Sequence, residues 1–184
     1  MGSEQRLQRL CADRIRSYLE ANDYGDIQVG EQTRIIKDCT FVPDEDGFTL
    51  YLGHAEADVV LYKTADSLTE ELEESEHLKL YQNASNELRI PYAILEIKNG
   101  TLTTDAIRSR TIIAREMNEI FPFLGYFFVG DETAPSPRMM YRAGKHFDSF
   151  FLTEEVGDKE WVREQVINDG IEPHLLKLES LGVL

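Results

Sequence analysis

Apolar positions along this chain follow two different periods. Over residues 4–21, Leu7, Leu10, Cys11, Ile15, Tyr18 and Leu19 recur at three- and four-residue steps. That spacing predicts an amphipathic helix, ended by Asn22 to Gly25. Over 33–42 and 48–62 the pattern becomes alternating, which predicts two strands around the turn Pro43-Asp44-Glu45-Asp46-Gly47. In the second run Phe48, Leu50, Leu52, His54, Glu56, Asp58, Val60 and Tyr62 share one face, apolar at both ends and acidic between them. Residues 66–88, rich in glutamate and leucine, predict a charged helical insertion. A nearly continuous apolar run over 91–98 predicts a strand, stopped by Asn99-Gly100.

Thr103 or Thr104 can cap a following helix that reaches about residue 120, with Ala106, Ile113, Met117 and Ile120 along its buried stripe. Phe123 to Val129 is apolar throughout, as expected of a central strand covered on both sides. A loop containing Pro135 and Pro137, an edge strand over 138–143, and helical segments near 158–169 and 172–181 complete the pattern. A strand–helix–strand unit (91–98, 103–120, 123–129) lies in the middle, and such a unit implies parallel strands. The fold class is therefore α/β, a mixed sheet flanked by helices, in one domain over residues 1–184.

Charge changes the picture. The net charge is −15, and a negative surface repels polyanions. The charge is segregated, however. Residues 64–76 hold Asp66, Glu70, Glu71, Glu73, Glu74 and Glu76 and no base, whereas 133–147 hold Arg138, Arg142 and Lys145 and no acid. No run is long enough for a transmembrane helix, so no membrane partner is expected. Cys11 and Cys39 are too few for a disulfide framework. Both read as buried small residues in a reducing, cytoplasmic compartment.

The candidate chemistry lies in Pro91-Tyr92-Ala93-Ile94-Leu95-Glu96-Ile97-Lys98. Side chains two apart on a strand share a face, so Glu96 and Lys98 are expected to leave the core on one side while Ala93, Leu95 and Ile97 stay in it on the other. Charges in an apolar run generally have a partner or a task. Asp58 opens a second apolar run, Val59-Val60-Leu61-Tyr62. Two acids and a lysine on neighbouring strands can hold a divalent metal and act on a phosphodiester. Asp44 and Asp46 belong to an ordinary turn, because the later ligands of a calcium loop are missing.

Asp58 before an apolar strand, Glu96-Ile97-Lys98 within a second strand, and the helix and strand that follow resemble the PD-(D/E)xK nuclease superfamily. The resemblance covers residues 4–130 and implies a restriction-endonuclease-like core, with a helical insertion near 64–90 and a C-terminal extension over 131–184. Two departures stand out: Ala57 replaces the motif's proline, and the distance from Asp58 to Glu96 is long. The literal Pro43-Asp44 lies in a turn and does not head a strand. The resemblance implies Asp58, Glu96 and Lys98 as catalytic residues. It implies Mg²⁺ or Mn²⁺ held by Asp58, Glu96 and the Ile97 carbonyl, a donor set suited to a hard cation.

Glu56 and His54 are candidates for an extra ligand or supporting contact, and Glu4, Glu20 and Glu31 for an additional acid. Arg108, Arg115, Arg138, Arg142 and Lys145 are candidate phosphate contacts. The expected function is a metal-dependent nuclease acting on nucleic acid, DNA first, as a homodimer, in restriction, defence or repair. The alternative is a non-catalytic acidic interaction protein of the same fold, a regulatory subunit or DNA mimic.

Overall fold

The computed structural model describes residues 2–43, 45, 47–65, 78–81, 88–98, 103–131, 142, 144–153 and 158–184. The chain forms a mixed α/β sheet flanked by helices. Helix α1 (Ser3–Ala21) precedes strands β1 (Gln28–Pro43), β2 (Phe48–Thr64), β3 (Leu78–Tyr81) and β4 (Arg89–Lys98). Helix α2 (Thr104–Ile120) then leads to β5 (Gly125–Asp131) and β6 (Ser149–Thr153). A last helical stretch comprises α3 (Lys159–Trp161), a π-helical segment (Val162–Ile171) and α4 (Glu172–Ser180).

The sheet order is β1-β2-β4-β5-β6, with β3 paired to β2. The pairs β1–β2 and β2–β4 are antiparallel, while β4–β5 and β5–β6 are parallel. The β4–α2–β5 unit is thus the parallel crossover expected from the sequence. Thr103 caps α2 by accepting the Ala106 N–H at 3.2 Å, which satisfies one of the free donors of the first turn.

Both sheet faces are covered, so alternate residues of β2, β4 and β5 enter two separate cores. On one face Val59, Leu61, Ala93, Leu95 and Ile97 pack with Leu7, Cys11 and Ile15 of α1 and with Val166, Ile171, Leu175 and Leu178 of the C-terminal stretch. On the other, Val60, Tyr62, Ile94, Tyr126 and Phe128 pack with Ile107, Ala114 and Met117 of α2. Burying one such large side chain is worth on the order of 1.5–3 kcal/mol.

The π-helical segment precedes Pro173, whose ring would collide with the carbonyl four residues back in an α-helix. The wider turn, with the Glu172 N–H bonded to the Ile167 carbonyl, carries the helix into the proline. Gly170 lies against the Phe151 ring, where a Cβ would come within 2.6 Å, so any larger residue here would have to displace that ring.

Several expectations need correction. Residues 78–81, expected to be helical, form β3, paired in parallel with Phe48 to Tyr51; the rest of that insertion, 66–77 and 82–87, lies outside the described residues. Strand β6, which the sequence did not suggest, forms one edge of the sheet; the sequence places an edge strand over 138–143. That segment is outside the described residues except Arg142, which is exposed. β5 begins at Gly125, two residues later than expected, because Phe123 precedes the strand.

The buried stripe of α2 is Ile107, Thr111, Ala114 and Met117. It is rotated from the expected one, with Ala106 exposed and Ile113 and Ile120 half-buried. Thr111 could join the stripe because its hydroxyl donates to the Ile107 carbonyl at 2.9 Å. Cys11 is buried, but Cys39, opposite Leu52 in the β1–β2 hairpin, is exposed. Among the described residues no helix is long and apolar enough to cross a membrane.

Candidate active site

Asp58 occupies a gap in the sheet. The antiparallel pairing of β2 with β4 runs only as far as Val59 opposite Leu95. Beyond that pair, the Ile97 N–H donates to Asp58 Oδ2 at 2.8 Å, so a carboxylate replaces the missing backbone acceptor. The Asp58 carbonyl is also outside the ladder and accepts from Gln8 Nε2 of α1 at 2.6 Å. Gln8 is 5% exposed, a polar side chain inside an apolar helix stripe, and this bond satisfies it. On the β1 side, the register pairs Glu31 with Val59 and Thr33 with Ala57 and omits Gln32 opposite Asp58. Gln32 has φ 45°, a left-handed conformation that is uncommon outside glycine and costs on the order of 1–3 kcal/mol. Backbone strain and a broken ladder therefore meet at this aspartate.

Glu96 shares the α2 face with Asp58. The sequence suggested that it would leave the core; it is instead 3% exposed, because α2 covers that face and Tyr126 and Phe128 of the neighbouring β5 flank it. The β4–β5 register sets Ile94 beside Tyr126 and Glu96 beside Phe128. This makes Tyr126 a diagonal neighbour of Glu96, and its hydroxyl donates to Glu96 Oε1 at 2.6 Å. Arg110 of α2, one turn after Ile107, brings Nε within 3.3 Å of Glu96 Oε2. Burial pushes the Glu96 carboxyl up to about 7, against the opposing pull of Arg110 and the Tyr126 hydroxyl. Burial likewise raises Asp58, partly offset by the Ile97 N–H and Arg110. Tyr126 is raised well above its usual range by burial and then by the Glu96 charge. A carboxyl poised near neutrality in a cleft is a common mark of a functional site.

Lys98 leaves β4 on the same side and is exposed. Its Nζ lies 2.9 Å from Glu4 Oε2 in the first turn of α1. Glu4, Asp58, Glu96, Ile97, Lys98, Ala106, Ile107, Arg110 and Phe128 line one cleft of about 60 Å³. A larger hollow of about 260 Å³ lies next to it, lined by Gln5, Gln8, Arg9, Glu31 and Gln32; it holds fewer charged groups, and the chemistry is concentrated in the small cleft.

The structure thus brings together Asp58, Glu96, Lys98 and the Ile97 peptide. In a strand the N–H and C=O of one residue point to the same side, so the Ile97 carbonyl projects from the β4 edge that meets Asp58. Two carboxylates and a carbonyl are hard oxygen donors, a set that fits Mg²⁺ or Mn²⁺. Among the described residues no three His, Cys, Asp or Glu side chains form a metal-holding group, so the donor set needs that carbonyl and water.

The other candidates fall elsewhere. His54 and Glu56 lie further along β2, opposite Ile36 and Arg34, outside the cleft. Burial and the nearby Arg34 charge lower the His54 ring. Of the three possible extra acids, Glu4 reaches the cleft, Glu31 pairs with Arg16 at 3.2 Å, and Glu20 is exposed on α1. Arg108 and Arg115 project from the exposed side of α2 and pair with Asp105 and Glu119. Arg142 and Lys145 are exposed, and Arg138 lies outside the described residues.

Sequence reasoning missed Gln8, Arg110 and Tyr126. Gln8 had a usable signal, a polar residue within the helical stripe. Arg110 sits at the border of the α2 stripe, and Tyr126 looked like core. Compared with protein-family models and with curated proteins, the chain matches none.

Proposed function

We propose that this protein is a metal-dependent nuclease with a restriction-endonuclease-like core, hydrolysing phosphodiester bonds in DNA. The observation that supports this most is the convergence of Asp58, Glu96, Lys98 and the Ile97 peptide on one cleft at the point where β2 and β4 part. Asp58, Glu96 and the Ile97 carbonyl would hold Mg²⁺ or Mn²⁺. When bound, such a cation lowers the pKa of a water and offsets charge growing on the phosphorus oxygens. Tyr126 fixes Glu96 Oε1, and the Ile97 N–H fixes Asp58 Oδ2, so both carboxylates are oriented in advance. Lys98, at the cleft mouth, would orient the attacking water or stabilise the developing negative charge. Glu4 holds the Lys98 ammonium toward the cleft. A homodimer would let two such clefts act on two strands of a duplex, and the cytoplasm is the setting this reading implies.

The net charge of −15 favours a second reading, an acidic interaction protein that keeps the fold. A cleavage assay on supercoiled, linear and single-stranded DNA and on RNA, with Mg²⁺ and then Mn²⁺ at low salt, separates the two. The nuclease is expected to cut only with metal, and Lys98→Ala to lower the rate by about 100-fold or more. Equal cutting by Lys98→Ala and Glu96→Ala would sink the catalytic assignment, and a folded protein that cuts no substrate would favour the interaction protein.

A further inference from the structure

We infer that Arg110 is a substrate-binding residue of the same cleft, holding a phosphate of the nucleic acid while its Nε stays on Glu96; this rests on the nuclease reading above. The cleft has an electrostatic difficulty. Its lining carries three carboxylates, Glu4, Asp58 and Glu96, and two cations, Lys98 and Arg110. Lys98 Nζ is engaged by Glu4 at 2.9 Å. Arg110 meets Glu96 through Nε, and its side chain is still 43% exposed in the cleft wall. A guanidinium carries five N–H donors in a rigid planar fork, so one edge can serve Glu96 while the terminal groups face a phosphate. Such planar pairing with phosphate oxygens is a strength of arginine over lysine. Arg108 and Arg115 are committed to Asp105 and Glu119 and lie away from the cleft.

The bland account is that Arg110 only neutralises a buried glutamate. Binding of a duplex oligonucleotide in Ca²⁺, measured across a salt series, distinguishes the two. Arg110→Met is expected to lower the magnitude of the salt slope by about one and to weaken binding on all sequences. Arg110→Lys is expected to keep the slope, and Arg163→Met, on the remote π-helical segment, to leave it unchanged. A single methylphosphonate at the cleaved step should weaken binding by the parent and cost Arg110→Met nothing further. An Arg110→Met protein that keeps the full slope, and loses as much as the parent to the methylphosphonate, would overturn the assignment while leaving a Lys98-dependent nuclease intact. A parent that neither binds nor cuts nucleic acid removes the nuclease reading and this inference with it.

Discussion

The two faces of the sheet at β4 are built from the same strand and serve opposite ends. Toward α1 and the C-terminal helical stretch, Ala93, Leu95 and Ile97 enter a dry core of aliphatic and aromatic side chains. Toward α2, Ile94 is followed by Glu96, which is equally enclosed but is tied to Tyr126 and Arg110. An apolar residue at position 96 would make the two faces alike and would remove the cost of burying a carboxylate. Burying an ionisable group stabilises a fold only where its partners outweigh desolvation, and the upward displacement of Glu96 means that here they do not. One face adds stability, and the other holds a carboxyl whose burial costs stability.

Substitution on the apolar face should have the larger effect. Leu95, fully buried, is expected to cost about 2–5 kcal/mol when replaced by alanine, with a loss that is similar from pH 5 to pH 9, measured by urea unfolding. On the other face the sign should reverse. The folded Glu96 carboxyl titrates at about 7 against an ordinary 4.5, so between those values the folded chain binds more protons than the unfolded one. Stability therefore falls as pH rises through that window, and the penalty is absent below it and complete above it. Glu96→Gln is expected to be more stable than the parent at pH 8.5, by up to about 3 kcal/mol, with the gain vanishing near pH 4. A glutamine variant less stable than the parent at pH 8.5 would erase the contrast between the faces.

Much of this arrangement was legible in the sequence. The helical stripe of α1, the alternation of β2, the Thr103 cap and the apolar β4 and β5 are local patterns, and each formed close to its expected place. The pairing of Asp58 with the Glu96-Ile97-Lys98 run was also legible, because both stand at fixed parity in strands. What escaped depends on long-range contact. Glu96 looked exposed because strand parity tells which face a residue takes and not whether a helix covers it. Tyr126 looked like core because its hydroxyl partner is 30 residues earlier on another strand. Arg110 was passed over for Arg108 and Arg115, since a rotation of α2 by a fraction of a turn decides which arginine meets the sheet. β3 was read as helix because its four residues lie in a run rich in glutamate and leucine, and its pairing to β2 is tertiary.

The central claim is that the α2 face keeps its acid pair, half-buried Asp58 and buried Glu96, for a cation, and thermal unfolding at pH 8 with and without millimolar Mn²⁺ tests it most directly. Binding to the folded state at 100 times the dissociation constant would add about 2.7 kcal/mol, which for a chain of this size raises Tm by about 5–10 °C. The expected result is such a rise in the parent, lost in both Asp58→Asn and Glu96→Gln. A parent with no rise, or variants that rise as far as the parent does, would contradict the account.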